Sequence, residues 1–284
     1  MIIEREQFRK TYIRSVYDVM NFWTPSMQNE ISRHNVGWRK GVTNFKNYLL
    51  ASELRYWIAI NTIQNNGGFS SYCDIGGFFG AYTLTLSRLG INVVMTEALG
   101  YYSDSFLPLF DYLSSEGVDI INHDPFEDSA LVDRKFDVVS AMAILEHYPH
   151  SHKRFLEFMT SIVAPTGRLY IEVPNIAYWP RRWNLLRGIT PLTPVEDIYK
   201  SEVPFIGHHH EFTMCELYKL AELAGFKVLE ENHFNYSFVG PLFKRFISDP
   251  MLTLMSYRKS MRECLAVLLS SSNDIIDSSS TSHV

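Results

Sequence analysis

Between residues 70 and 173 the sequence alternates short apolar runs with helix-period segments, and that alternation restricts the fold more than any other feature. Runs at 70–74, 92–96 (NVVMT), 118–121, 136–141 (FDVVSA) and 168–173 predict strands. Helices are expected over about 81–89, 102–115 and 151–163, with stops at Gly90, near Gly117 and at Pro165. In the last of these, Phe155, Phe158, Met159 and Ile162 recur at the spacing of one buried helix face. Strands that are apolar nearly throughout, separated by helices, indicate an α/β fold with a doubly wound, mostly parallel sheet. Right-handed crossovers bring the carboxyl ends of such strands to one edge, where ligands bind.

The flanks follow other rules. Residues 1–65 hold no strand-like run and read as an aromatic-rich N-terminal helical cap, closed by Asn65-Asn66-Gly67-Gly68. The sheet-forming domain is expected over 66–240, interrupted by 174–210, a proline-rich insertion with Trp179, Arg181, Arg182 and Trp183 that reads as a lid. Thr213-Met214-Cys215-Glu216 has the capping-box form and starts a helix with Leu217, Leu220, Ala221 and Ala224 on one face. A strand-like run at 227–230 follows. An amphipathic helix over 251–269 is expected within a C-terminal helical extension, 241–270, before a serine-rich tail, 271–284, with the composition of a disordered segment.

The chemistry concentrates in Cys73-Asp74-Ile75-Gly76-Gly77-Phe78-Phe79-Gly80, the turn after the first strand. A dinucleotide fingerprint aligned on Gly76 would need glycine at Phe78, where backbone must approach a pyrophosphate. No Gly-Lys-Ser/Thr follows, which excludes a P-loop. Read as an acidic residue followed by x-G-x-G-x-G, the turn resembles the first motif of class I, Rossmann-like SAM-dependent methyltransferases, with Phe78 in place of the middle glycine. Glu97 closes the second strand, and His123-Asp124-Pro125-Phe126 follows the third, both as in that family. The block from Phe136 to Asn175, with its LEH, is similar to the family's fourth-to-fifth-strand segment. GHHHEFTMCELYKLAELAGF resembles a late block of methyltransferases from glycan and natural-product pathways.

That resemblance implies S-adenosylmethionine (SAM) as cofactor. Asp74 would accept from its ammonium, and Gly76, Gly77, Phe78 and Gly80 would line its amino-acid tail. Glu97 would hold the ribose hydroxyls and Asp124 the adenine amine, with Pro125 or Phe126 on the ring. Ala141, at the end of the fourth strand, completes the expected set. His147, His208 and His210 are the candidate catalytic residues, each able to take a proton from a hydroxyl acceptor. No metal site is expected, because Glu211 is the one acidic partner near the histidine triplet along the chain.

The expected function is methyl transfer to a small-molecule or glycan-like acceptor, at oxygen. A net charge of −5 opposes nucleic acid as a partner, and no apolar run is long enough for a membrane span. Three dispersed cysteines and a charged N-terminus fit a cytoplasmic protein; the oligomeric state is unknown. Two alternatives stay open: a nucleic-acid or protein methyltransferase, or a non-catalytic binding protein whose Phe78 fills the cofactor site.

Overall fold

The computed structural model describes residues 2–34, 44–125, 134–201, 205, 207–238 and 240–271. Its centre is a seven-stranded sheet in the order β3-β2-β1-β4-β5-β7-β6. The strands are β1 (Ser71–Ile75), β2 (Asn92–Glu97), β3 (Val118–Asn122), β4 (Phe136–Met142), β5 (Val163–Pro174), β6 (Phe226–Phe234) and β7 (Cys264–Ser271). All neighbours are parallel except β7, which runs antiparallel to both β5 and β6.

β7 corrects the expected C-terminal helix. Helical residues in the 241–270 segment stop at Met255, apart from a short turn at Lys259–Met261. From Cys264 on, the chain inserts between two strands of the sheet. Leu265 through Leu269 are all buried, so both faces of β7 are covered. A strand apolar on both faces has no period of two, and periodicity alone cannot separate it from a buried helix. Phe126 and the tail beyond Ser271 lie outside the described residues.

Twelve helices surround this sheet among the described residues: α1 (Arg5–Met20), α2 (Pro25–His34), α3 (Phe45–Ala51), α4 (Glu53–Asn65), α5 (Ala81–Arg88), α6 (Leu107–Ser115), α7 (His152–Ile162), α8 (Trp179–Leu186), α9 (Val195–Tyr199), α10 (Met214–Leu223), α11 (Leu242–Ser248) and α12 (Pro250–Met255). The pleat sorts each strand's residues between two cores. Tyr72, Val138, Tyr170 and Leu268 face the layer built by α1, α4, α5 and α6. Cys73, Val139, Leu169 and Leu269 face α7 and α10.

The N-terminal helices are thus part of the first core. Tyr12 donates its hydroxyl to the Leu49 carbonyl oxygen at 2.7 Å. Arg88 of α5 reaches back to Asp18 of α1 at 2.7 Å and across to Glu116 at 2.6 Å. This packing carries α3 and α4 over the carboxyl ends of β1 and β4, the edge on which the sequence motifs converge.

Candidate active site

The turn after β1 is held by strain and close packing. Gly76 and Gly80 have φ of 69° and 73°. A Cβ on either would come within 2.3 Å of a neighbouring side-chain carbon, from Ile144 and Leu113 respectively. Phe78, at the middle-glycine position, also has positive φ, 52°. A left-handed conformation costs a non-glycine residue roughly 1–2 kcal/mol. Its amide donates to Glu97 Oε2 at 2.7 Å, and its ring meets Phe45 of α3 edge-on at 5.7 Å. Phe79 is fully packed, with Trp23, Phe45 and Phe106 around it. The two phenylalanines therefore anchor the turn to α3 and to Trp23.

Beside this turn opens a cavity of about 730 Å³. Asp74, Gly76, Gly77, Phe78, Gly80, Glu97, Asp124 and Pro125 line it, as do His147 and His208. Two expected residues do not. Ala141 is buried in the α7-side core, and Met142, the next residue along the pleat, reaches the cavity in its place. His210 lies outside, half-exposed, against Phe212 and near Glu216. At Ala141 the strand sends successive side chains to opposite faces, and the motif gives no parity. His210, two residues beyond the cavity-lining His208, departs from that alternation and packs on Phe212 instead.

At one end of the cavity the carboxylates are braced. Asp74 accepts from Ser140 Oγ at 2.5 Å. Burial pushes its acid up to about 7, while the Ser140 bond and the Arg55 cation oppose this. Glu97 accepts from Tyr102 Oη at 3.0 Å as well as from Phe78. Arg55 of α4 lines the same cavity and is buried, its Nε donating to Glu172 of β5 at 2.9 Å. Sequence reasoning missed Arg55 because it precedes every motif. A cation on the buried side of an apolar helix, in Leu54-Arg55-Tyr56-Trp57, was the available signal.

The other end is built from the short turn Leu145–His147 after β4 and the chain entering α10. The amide of His209 donates to the Glu146 carbonyl oxygen at 2.7 Å, which lays one segment over the other. His147 and His208 face each other edge-on, ring centroids 4.7 Å apart. His147 donates from Nδ1 to the Gly207 carbonyl oxygen at 3.1 Å, and His208 from Nδ1 to Glu211 Oε1 at 2.8 Å. Arg181 of α8 pairs with the second oxygen of Glu211. Burial pulls His147 down to about 4 and His208 down to about 3, so both imidazoles are neutral at pH 7. Glu146 is fully buried, and burial pushes it up to about 8. Glu146, His147 and His208 bring ligand-capable atoms within 4.8 Å of one another.

A methyltransferase-domain family profile matches residues 51–231. The chain belongs to the SAM-dependent methyltransferases. No curated protein matches it. Among solved structures the methyltransferase is similar to the N-methyltransferase NodS from Bradyrhizobium japonicum WM9, solved with S-adenosyl-L-homocysteine (SAH). The two share 13% identity over 87% of this chain and 97% of that one, with a TM-score of 0.50. A 1,6-didemethyltoxoflavin-N1-methyltransferase from Burkholderia thailandensis is 16% identical over 86% of both chains, TM-score 0.50. A SAM-dependent methyltransferase from Mesorhizobium loti is 14% identical over 77% of this chain and 97% of that one, TM-score 0.52. At these identities the likeness is one of fold.

The donor set fits SAM. The cofactor's tail is a zwitterion, and the cavity offers it a carboxylate, Asp74, and a guanidinium, Arg55. A Cβ at Gly77 would strike the buried Met95, so only glycine lets the turn pack this closely on the core beneath it. Glu97 and Asp124 supply acceptors further along.

Proposed function

We propose that this methyltransferase acts on an oxygen of a small-molecule or glycan-like acceptor held between the β1 turn and the stretch 191–194. What supports the reading is that the cofactor-motif side chains and the His147–His208 pair open into one cavity, roofed by Pro191, Leu192, Thr193 and Pro194. Its volume, about 730 Å³, is within the range of small-molecule sites and remains open beside Phe78. The bound cofactor supplies an activated methyl group, which leaves alignment, water exclusion and proton removal to the protein. Asp74 and Arg55 hold the tail, Glu97 the ribose, and Asp124 with Pro125 the adenine. His147 and His208, each donating from Nδ1 to a fixed oxygen, present Nε2 to the acceptor hydroxyl and take its proton.

A nitrogen acceptor is the second reading, favoured by the fold relatives that methylate nitrogen. An amine attacks before losing its proton and has less need of a base. A cytoplasmic setting belongs to the same proposal, supported by three unpaired cysteines. No helix among the described residues is long and apolar enough to cross a membrane.

Calorimetric titration with SAH, followed by transfer of labelled methyl from SAM to hydroxyl and amino acceptors, tests the reading. Binding that Glu97→Ala weakens, with label on hydroxyl acceptors, is expected. Absence of SAH binding at millimolar concentration overturns it, and label confined to amines replaces oxygen with nitrogen.

A further inference from the structure

Glu146 is the most exceptional group in the cavity wall. Its side chain is fully buried, and neither carboxylate oxygen receives a hydrogen bond from another described residue. Buried polar groups are satisfied in the great majority of cases, and an orphaned carboxylate calls for a proton, water or ion as partner.

The surroundings favour an ion. Both neighbouring imidazoles use Nδ1 to donate to fixed oxygens, the Gly207 carbonyl and the Glu211 carboxylate. Metal-binding histidines are oriented in this way, their second ring nitrogen bonded to a carbonyl or carboxylate so that the first points at the metal. Glu211 is in turn held by Arg181, which fixes the His208 ring. The three ligand-capable atoms lie within 4.8 Å of one another. Ligands bound about 2.1 Å from a metal sit roughly 3–3.5 Å apart, so the set closes by small side-chain rotations.

We propose that Glu146, His147 and His208 form a facial site for one divalent transition-metal ion at the acceptor end of the cavity. Two imidazoles and one carboxylate suit zinc, iron(II), manganese or cobalt better than calcium or magnesium. Three protein ligands leave coordination positions open toward the cavity, and an acceptor with two adjacent oxygens would fill them. The ion acidifies the coordinated hydroxyl: the O–H bond breaks, the proton leaves to water, and the oxygen keeps the electron pair for attack. His147 and His208 are then ligands instead of bases. This role toward the acceptor rests on the oxygen-methylation reading; the ion's binding does not.

Cobalt(II) titrated into the metal-free full chain is the test, followed by its visible ligand-field absorption. One ion per chain is expected, with absorption intensity of a site having nitrogen ligands. Glu146→Gln, close in shape to the native residue, should weaken binding at least tenfold, His208→Ala likewise, and His210→Ala less than twofold. Circular dichroism and SAH titration verify that each variant is folded. Equal binding by Glu146→Gln, loss of binding in His210→Ala, or no ion bound at millimolar cobalt overturns the site. Cobalt binding without SAH binding would sustain the site and overturn the methyl-transfer reading. Binding of both with methyl transfer indifferent to chelator would sustain the site and return the proton to the histidines.

Discussion

The two ends of the cavity are built differently. At the cofactor end Asp74 and Glu97 sit at adjacent strand ends, each already braced by the protein, through Ser140 in one case and Phe78 and Tyr102 in the other. At the other end the cluster joins segments far apart in the chain, and its central carboxylate receives no hydrogen bond from another described residue. The first arrangement is preorganised by strand order and one tight turn. The second, on the proposal above, is completed by what it binds. Substitutions should therefore separate into those that affect cofactor affinity or folding and those that affect turnover.

The largest effect is expected at the tie beneath both ends. Arg55→Ala leaves Glu172 buried without its cation, and breaking such a pair costs about 3–5 kcal/mol. Urea unfolding should show that loss, and a decrease below 1 kcal/mol would show that the pair contributes little.

His208→Ala should lower kcat about 10²–10⁴-fold while SAH affinity changes by less than about threefold. Parallel loss of both in a folded variant would erase the distinction between the ends.

Asp74 gives a pH test of the cofactor end. Its folded acid is raised to about 7 from an ordinary 3.8, so the folded chain keeps a proton that the unfolded chain releases. The stability this contributes is fully present below about pH 4 and is lost as pH rises through about 7, with a slope of at most about 1.4 kcal/mol per unit. Asp74→Asn should remove that slope in melts taken across the interval. Bound SAH should reduce it in the wild-type chain, since a nearby ammonium favours the ionised carboxylate. Identical slopes in all three would locate the titration elsewhere.

The smallest effect is expected from Phe78→Gly. It relieves about 1–2 kcal/mol of left-handed strain but loses the contact with Phe45. Stability should shift by about 1 kcal/mol or less and SAH affinity by less than about threefold. A tenfold gain in affinity would mean that the ring obstructs the cofactor end.

These differences match what could be read from the chain. The β1 turn, the placing of Glu97 and Asp124 at the same sheet edge and the succession of the first five strands along the chain were legible because each depends on neighbours in sequence. A glycine turn follows its strand, and an acidic residue ends the next one. Arg55 was not legible, since its role comes from α4 crossing the sheet edge. β7 was misread because burial on both faces removed the alternation that marks a strand. Ala141 was one step from a cavity-facing neighbour, a matter of side-chain parity that a motif does not carry, and His210 turns instead to Phe212, a contact made only in the folded chain.

By itself, then, the sequence determined a doubly wound sheet, a methyltransferase turn and the end of the sheet at which its motif residues gather. Hydrophobic period and turn chemistry are local, and local patterns survive in one dimension. Only the tertiary structure decided that Glu146 meets His147 and His208 and that Arg55 shares a cavity with Asp74. It also decided that Phe78 packs on Phe45 of α3. Each of these depends on burial and distance between segments that are remote along the chain, where desolvation and orphaned hydrogen bonds acquire their cost.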